Sequence, residues 1–278
     1  MEYQVLKLGD PHYPQRLLER LGKEAPPHLY YHGPLSYLKR FTLAVISADS
    51  ISGEAMMAAN QLLFTLREYE MNYIGGWHSV METEIFRLGL FRKNITVTLF
   101  SAKGLVREDF ESFLEDRFCP PLHEFPERDE YFRRGKNGEL LMLSVSDPQT
   151  SQTARKNVIN RNWIACALAD AVFVTFATKG TKTYAITKKL IQLKIPIFTA
   201  DHESNSDVHG LGVLRFNRKT VVKFLENLGA VQSDPEKPIP KTILSPNNIN
   251  HIAEKTKISE QLSLLTTKEN KDRVGEHE

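Results

Sequence analysis

The sequence has few of the residues and patterns that mark the more specialised classes of protein. Two of its 278 residues are cysteines, Cys119 and Cys166, and they are too isolated to support a disulfide framework or a paired-cysteine metal site. No apolar run is long enough to span a bilayer, and the N-terminus lacks the basic and apolar regions of a signal peptide. We therefore expect a cytoplasmic protein with no membrane partner.

Motifs for catalysis and for the common cofactors are also missing. The GxGxxG fingerprint of dinucleotide-binding proteins is absent, and Gly180 lacks the glycine five residues earlier that a Walker A loop requires. There is neither a catalytic triad nor a poised pair of carboxylates, and the loop 201–210 has no recognised metal-ligand spacing. The sequence therefore predicts no enzyme activity, no catalytic residue, no metal and no cofactor.

The charge is small in total but uneven along the chain. The net charge is +2, whereas residues 151–195 contain eight lysines and arginines against one acid, Asp170. A basic segment within a near-neutral chain is typical of a protein with a polyanionic partner. The alternative is a solvated lysine-rich helix face, which is the simpler interpretation for Lys188, Lys189 and Lys194 taken alone.

Apolar runs alternate with helical spacing from residue 41 onwards. The predicted strands cover residues 41–47, 71–76, 95–100, 139–146, 171–177 and 195–200. The predicted helices cover residues 53–70, 79–90, 156–169, 182–194 and 219–229. This alternation indicates βαβ units and a mostly parallel sheet, and right-handed crossovers then produce a doubly wound, Rossmann-like α/β fold.

The remaining segments differ from this core in composition. Residues 1–40 are predicted to be a short N-terminal lead with turns at its prolines, and residues 41–230 the Rossmann-like domain. Within that domain, residues 106–140 are charged and aromatic, which indicates an irregular insertion. Residues 231–278 are predicted to be a Pro-rich linker and a polar tail, with one candidate helix at 249–264.

Ligands of doubly wound folds bind beyond the carboxyl ends of the strands, so polar residues there are the candidate site. The candidates after the first two strands are Ser47, Ser50, Gly75, Gly76 and His78. The serines could cap a helix or bind an anion, and the glycines allow a close backbone approach or a positive φ. Trp77 could stack on a nucleobase; the alternative is a tight turn with a half-buried tryptophan and a surface histidine.

The basic segment supplies the other candidates: Arg155, Lys156, Arg161, Asn162, Lys179, Gly180, Thr181, Lys182 and Thr183. A guanidinium beside an amide, as in Arg161 and Asn162, suits recognition of a phosphate together with a base or sugar. The glycine turn with its threonine hydroxyls and two lysines suits an anion at the start of a helix. The alternatives are a structural arginine that bridges to carbonyl groups and a plain helix cap.

Taken in their order along the chain, the predicted strand ends resemble those of the DNA-processing protein A (DprA, also called Smf) family. The most specific stretch is YPQRLLERLGKEAPPHLYYHGPLSYL at 13–38, whose Tyr-Pro, spaced leucines, Pro-Pro and Leu-Tyr resemble the entry segment of that family. IGGWHSVMETE, RNWIACALADAVFV and KGTKTYA resemble later family motifs, with matches at Gly75-Gly76, Arg161-Asn162 and Gly180-Thr181. The resemblance covers residues 13–230.

The chain departs from the family pattern at several positions of the pocket. Ser47, Ala48 and Asp49 stand where the family has Gly-Ser-Arg, so that an arginine is replaced by an acid. His78 stands in place of another family arginine, and Trp163 replaces the second arginine of an Arg-Asn-Arg motif.

The resemblance implies a single-stranded DNA-binding protein that mediates DNA processing and recombination during DNA uptake (natural transformation). It also implies a recombinase partner, a homodimer, no established catalytic chemistry, and a DNA surface in the basic segment with salt-dependent binding. The alternative is a Rossmann-like sensor of a small nucleotide-derived ligand. A nucleotide phosphoribohydrolase is less favoured, because no carboxylate follows Gly180-Thr181 to act as acid or base.

Overall fold

Ten strands form one mixed sheet in this protein, which a computed structural model describes at residues 2–117 and 122–233. The strands are β1 Gln4–Lys7, β2 His28–His32, β3 Thr42–Ser47, β4 Tyr69–Gly75, β5 Ile95–Ser101, β6 Leu141–Ser144, β7 Ala171–Phe176, β8 Ile197–Ala200, β9 Leu214–Phe216 and β10 Val231–Gln232. Their spatial order is β1-β2-β6-β5-β4-β3-β7-β8-β9, and β10 pairs with β4. The pairs β1–β2, β2–β6 and β4–β10 are antiparallel, and the other neighbours are parallel.

Helices cover both faces of this sheet, which is why β3 and β7 at its centre are buried at every position. The helices are α1 Gln15–Leu21, α2 Gly53–Leu66, α3 Val80–Phe91, α4 Phe110–Arg117, α5 Arg128–Lys136, α6 Arg155–Leu168, α7 Lys182–Leu190, α8 Ser206–His209 and α9 Thr220–Asn227. In β3, Leu43 and Val45 belong to the core with α2, α3 and α9, whereas Ala44 and Ile46 belong to the core with α1, α6 and α7. The structure confirms the predicted doubly wound, Rossmann-like α/β fold.

The order of the strands reverses next to β3. From β3 the chain builds β4, β5 and β6 on one side, and it then returns through α6 to place β7, β8 and β9 on the other side. β3 pairs in parallel with both β4 and β7. Because α2 and α7 leave β3 and β7 toward opposite faces of the sheet, a crevice opens between these two strand ends.

The N-terminal lead contains regular elements that the sequence pattern did not indicate. β2 pairs with β6, β1 pairs with β2, and α1 lies against α6 in the same apolar core. The guanidinium groups of Arg16 and Arg20 donate to the carbonyl oxygens of Leu168 and Ala167 at 3.2 and 2.8 Å. The spacing of apolar residues does not reveal these short elements, because they are stabilised by distant parts of the chain. β2 pairs with β6, and α1 contacts the end of α6.

Residues 106–140, predicted to be an irregular insertion, contain the two helices α4 and α5. Their buried aromatic side chains join the core that contains α3, and every residue of Met81–Leu90 in α3 is buried. Arg87 is 3% exposed and forms ion pairs with Glu84 and Glu127 at 2.7 Å each. Short, highly charged helices of this kind depend on tertiary contacts, so the spacing of apolar residues did not predict them.

The described chain ends beside the amino end of β4. Val231 of β10 pairs with Glu70, and the Ser233 N–H donates to the Glu68 carbonyl at 2.7 Å, so the predicted linker begins with two strand residues. The candidate helix at 249–264 lies outside the described residues. Within residues 2–117 and 122–233, no helix is both long and apolar enough to cross a membrane.

Asp170 provides a test of how the lead is attached to the sheet. Its carboxylate pairs with the Arg16 guanidinium at 2.7 Å and accepts from the Thr42 N–H at 2.7 Å. We expect Asp170→Ala to lower the free energy of unfolding by about 2–3 kcal/mol, measured by urea denaturation, because it leaves both donors without their acceptor. Asp170→Asn is expected to cost less, because an amide oxygen can still accept one hydrogen bond.

The control for this measurement is Asp201→Ala, which removes an exposed carboxylate at the carboxyl ends of the strands, whereas Asp170 lies at their amino ends. Its free energy of unfolding should stay within about 0.5 kcal/mol of the wild-type value. An equally small change in Asp170→Ala would contradict the assigned role of Asp170.

Candidate functional site

A cleft of about 440 Å³ opens at the carboxyl ends of the strands, where the strand order reverses. Its lining comes from the ends of β3 and β4, from the segment before α6, and from α3, α6 and α7. The lining residues are Ser47, Asp49, His78, Glu82, Thr153, Arg155, Val158, Arg161, Asn162, Lys182 and Thr183. Of the sequence candidates, the cleft thus brings together Ser47, His78, Arg155, Arg161, Asn162, Lys182 and Thr183.

The turn before α7 shows mainly local roles for its polar groups. The Thr181 hydroxyl accepts from the Tyr184 N–H at 3.2 Å, as an N-cap does, and donates to the Thr178 carbonyl at 2.7 Å. Gly180 has φ +90°, which explains the glycine there. Lys179 lies outside the lining of the cleft, and its ammonium is 3.7 Å from the Asp207 carboxylate.

Thr183 links the two strand ends that border the cleft. Its hydroxyl donates to the carbonyl oxygen of Ser47 at 2.7 Å, and both residues are buried. This bond joins the end of β3 to the first turn of α7. Ser50 and Lys156, two further sequence candidates outside the lining of the cleft, are exposed.

The Gly-Gly-Trp turn after β4 differs from the expectation in one respect. Gly76 makes the close backbone approach, because an added methyl group would lie 1.8 Å from Nη1 of Arg161. The positive φ, +54°, falls on Trp77 rather than on Gly75 or Gly76. Trp77 is fully buried, its indole N–H donates to the Thr98 carbonyl at 3.1 Å, and its ring cannot stack on a base. The hypothesis of a Trp77 base platform was therefore wrong.

Arg161 crosses from α6 to the ends of β4 and β5. It is 2% exposed, its Nη1 donates to the Phe100 carbonyl at 3.2 Å, and its guanidinium lies against Gly76. The interpretation of Arg161 as a structural bridge to carbonyl groups fits this geometry. Because Arg161 also lines the cleft, its positive charge still contributes to the potential there.

Glu82 is the principal site residue that the sequence reasoning missed. It is 5% exposed, and its two carboxylate oxygens accept from the backbone N–H groups of Ser47 and His78 at 3.0 and 2.8 Å. Burial raises the pKa of the Glu82 carboxyl, whereas the His78 hydrogen bond and the charge of Arg161 act in the opposite direction. Through its two hydrogen bonds, the Glu82 carboxyl group holds the ends of β3 and β4 together.

A sequence signal for Glu82 did exist. Ser79 and Glu82 have the Ser-x-x-Glu spacing of a capping box, and the Ser79 hydroxyl accepts from the Glu82 N–H at 3.2 Å. In a capping box the glutamate side chain would return to the N–H of Ser79. Here it reaches Ser47 on another strand instead, which only the tertiary structure reveals.

Exposed cations extend from the cleft along one face of the protein. We call this set the basic surface; it consists of Arg155, Lys156, Lys182, Lys188 and Lys189. In the described part of the chain, none of the five forms an ion pair with an acidic side chain. Asp170, the one acid of residues 151–195, lies at the amino ends of the strands, away from the cleft, and pairs with Arg16. A positive potential therefore remains on this face.

Gly76→Ala tests whether the close approach of Arg161 shapes the cleft. We expect this variant to lower the melting temperature by about 4–8 °C, because an overpacked, buried contact costs roughly 2 kcal/mol in a domain of this size. Gly53→Ala is the matched control, since a methyl group at Gly53 meets no atom within 4 Å. Equal melting temperatures for the two variants would contradict the assigned contact.

The chain was compared with known families, proteins and structures. Residues 4–104 match the family model for DNA recombination-mediator protein A. No curated protein matches the sequence at a significant level. The fold is similar to DNA processing protein A of Streptococcus pneumoniae, with a TM-score of 0.63 at 19% identity over 80% of this chain and 74% of that chain.

A second similar structure is DNA processing protein A of Helicobacter pylori, described for its single-stranded DNA binding mode. The TM-score is 0.61 at 15% identity, over 82% of this chain and 97% of that chain. At such identities the two structures establish the shared fold, and the family model supplies the match in sequence. Residues 4–104 thus resemble the DNA recombination-mediator protein A family in sequence, and the fold of the chain is similar to both DNA processing protein A structures.

Proposed function

We propose that this protein binds single-stranded DNA across the basic surface and the adjoining cleft. The observation that carries the proposal is the set of five exposed cations beside the cleft, without acidic partners in the described residues. Phosphates are the complementary groups for such a surface. The match of residues 4–104 to the recombination-mediator family model and the DNA binding named for the Helicobacter pylori structure support the same function.

The extent of the basic surface favours a strand over a single small ligand. Lys182 and Lys189 lie at the two ends of α7, about 10 Å apart along the helix axis. Arg155 and Lys156 add a second row at the start of α6. Lys189 also lies 5.2 Å from the ring of Trp163, so that α6 and α7 present one continuous face.

Within this function, the protein would act in DNA processing and recombination, as the description of the matched family model indicates. A role in DNA uptake is part of the proposal by the resemblance in sequence alone. We propose a binding role rather than a catalytic one. The buried carboxyl group of the cleft, Glu82, accepts hydrogen bonds from two backbone N–H groups at the strand ends, which suits a structural role. A recombinase partner and a homodimer are part of the same proposal, by resemblance to the family.

The combined variant Arg155→Glu and Lys182→Glu tests the DNA surface. We expect it to weaken binding of a labelled oligothymidylate of about 20 nucleotides by at least roughly tenfold, measured by fluorescence anisotropy at low salt. The logarithmic salt slope should fall by about 1.4, because two phosphate contacts are lost.

The matched control is Lys219→Glu with Lys223→Glu. Both lysines are exposed, and α9 lies on the opposite face of the sheet from α6 and α7. The control pair changes the net charge by the same amount as the test pair but leaves the basic surface intact. Absence of oligonucleotide binding by the wild-type protein would refute the proposal. Equal weakening by both pairs would show that net charge, rather than this surface, governs binding.

A small nucleotide-derived ligand is the second candidate, and the size of the cleft favours it. At about 440 Å³ the cleft falls within the usual range of small-molecule pockets, about 300–1,000 Å³. A nucleotide present at about 100 times its Kd should raise the melting temperature by roughly 5–10 °C, because it stabilises the folded state by about 2.7 kcal/mol.

This thermal-shift measurement needs Arg155→Ala as a variant, since Arg155 lines the cleft. A nucleotide that binds there should stabilise the wild-type protein more than Arg155→Ala and should compete with the labelled oligonucleotide. Equal shifts in the two proteins, or no shift with any nucleotide, would contradict the second candidate.

A further inference from the structure

The cleft contains two carboxylates among its cations. Asp49 and Glu82 line it together with Arg155, Arg161 and Lys182. The Ser47 and His78 N–H groups at the strand ends are of the kind that bind phosphate in related folds, but both donate to Glu82 here. These two donors are therefore already engaged by the Glu82 carboxyl group, and this part of the cleft is poorly suited to a phosphate.

The structure gives Asp49 no architectural role. It follows β3 directly, but the cap of α2 is Ser52, whose hydroxyl accepts from the Ala55 N–H at 3.3 Å. Within the described residues, the Asp49 carboxylate has no hydrogen-bond or ion-pair partner, and its side chain is exposed where it lines the cleft. Its acceptor oxygens are thus available to a ligand.

A carboxylate in this position selects for hydrogen-bond donors. DNA phosphates carry none, whereas the bases carry donors on their edges. Guanine is distinctive because N1–H and the N2 amino group point in the same direction on its Watson–Crick edge and match the two oxygens of one carboxylate. That edge is accessible in a single strand and engaged by pairing in a duplex.

We propose that Asp49 makes the cleft a subsite for a guanine base of the bound single strand. The strand's phosphates then lie on Arg155 and Lys182 at the border of the cleft, where the cations are exposed. The basic surface provides affinity without regard to sequence, and Asp49 adds a preference for one base at one position. The proposal rests on the proposed function, because it assigns a substrate preference to the same site.

The test compares oligothymidylates that differ at one central position, competed against a labelled oligothymidylate in anisotropy measurements. The wild-type protein should bind the strand with central dG more tightly than the strand with dT, dA or dC, by about fivefold or more. Deoxyinosine, which lacks the N2 amino group, should lose much of this gain because only one donor remains. A single guanine per strand avoids competing guanine structures.

Asp49→Asn should reduce the preference for dG below about twofold, since the amide offers one acceptor and introduces a donor. Because it removes a negative charge near the strand, it should also tighten binding of plain oligothymidylate, so the preference is measured as the ratio of dG to dT binding within each protein. The matched control is Asp201→Asn. Asp201 is an exposed residue that also follows the carboxyl end of a strand but lies outside the cleft, so this variant should keep the preference for dG. Circular dichroism of both variants checks that the fold is retained.

The outcomes separate this inference from the proposed function. Equal binding of all strands by the wild-type protein, or an unchanged dG preference in Asp49→Asn, overturns the guanine subsite while the DNA surface stands. Uniformly tighter binding of every strand by Asp49→Asn, without a dG preference in the wild type, reduces Asp49 to a charge effect and also overturns it. Failure of every strand to bind overturns both proposals.

Discussion

The geometry of the cleft depends on the buried carboxylate of Glu82, which ties the ends of two neighbouring strands to the start of α3. A buried carboxylate is costly unless hydrogen bonds replace the water that it loses. The N–H groups of Ser47 and His78 provide two such bonds, and the nearby charge of Arg161 adds to them. Arg161 in turn requires Gly76, because any side chain there would occupy the space of its guanidinium.

This arrangement divides the charges of the site into two groups. Arg161 and Glu82 are buried and engaged with the backbone, so they shape the cleft and offer little to solvent. Arg155 and Lys182 are exposed at its border and continue into the basic surface of α6 and α7. The exposed carboxylate of Asp49 lines the same cleft as these cations. General affinity and base preference can therefore come from different side chains.

Much of the central fold could be predicted because both faces of the sheet are covered. Strands buried on two sides need apolar residues at every position, so β3, β5 and β7 stand out in the sequence. The lead and the insertion were harder to predict, since β1, β2, α4 and α5 are short and depend on partners far along the chain. For α1, the contacts of Arg16 and Arg20 with the end of α6 span about half the chain and leave no local pattern.

The sequence by itself determined the α/β class, the basic character of α6 and α7 and the prediction of a candidate site at the strand ends, because these follow from local periodicity and composition. Only the tertiary structure decided which side chains enter the cleft. Trp77 is buried and His78 exposed because the backbone reverses at a positive φ on Trp77. Glu82 leaves its local cap and reaches Ser47 because β3 and β4 are neighbours in the sheet. Contacts across strands depend on strand order, which no local stretch of sequence encodes.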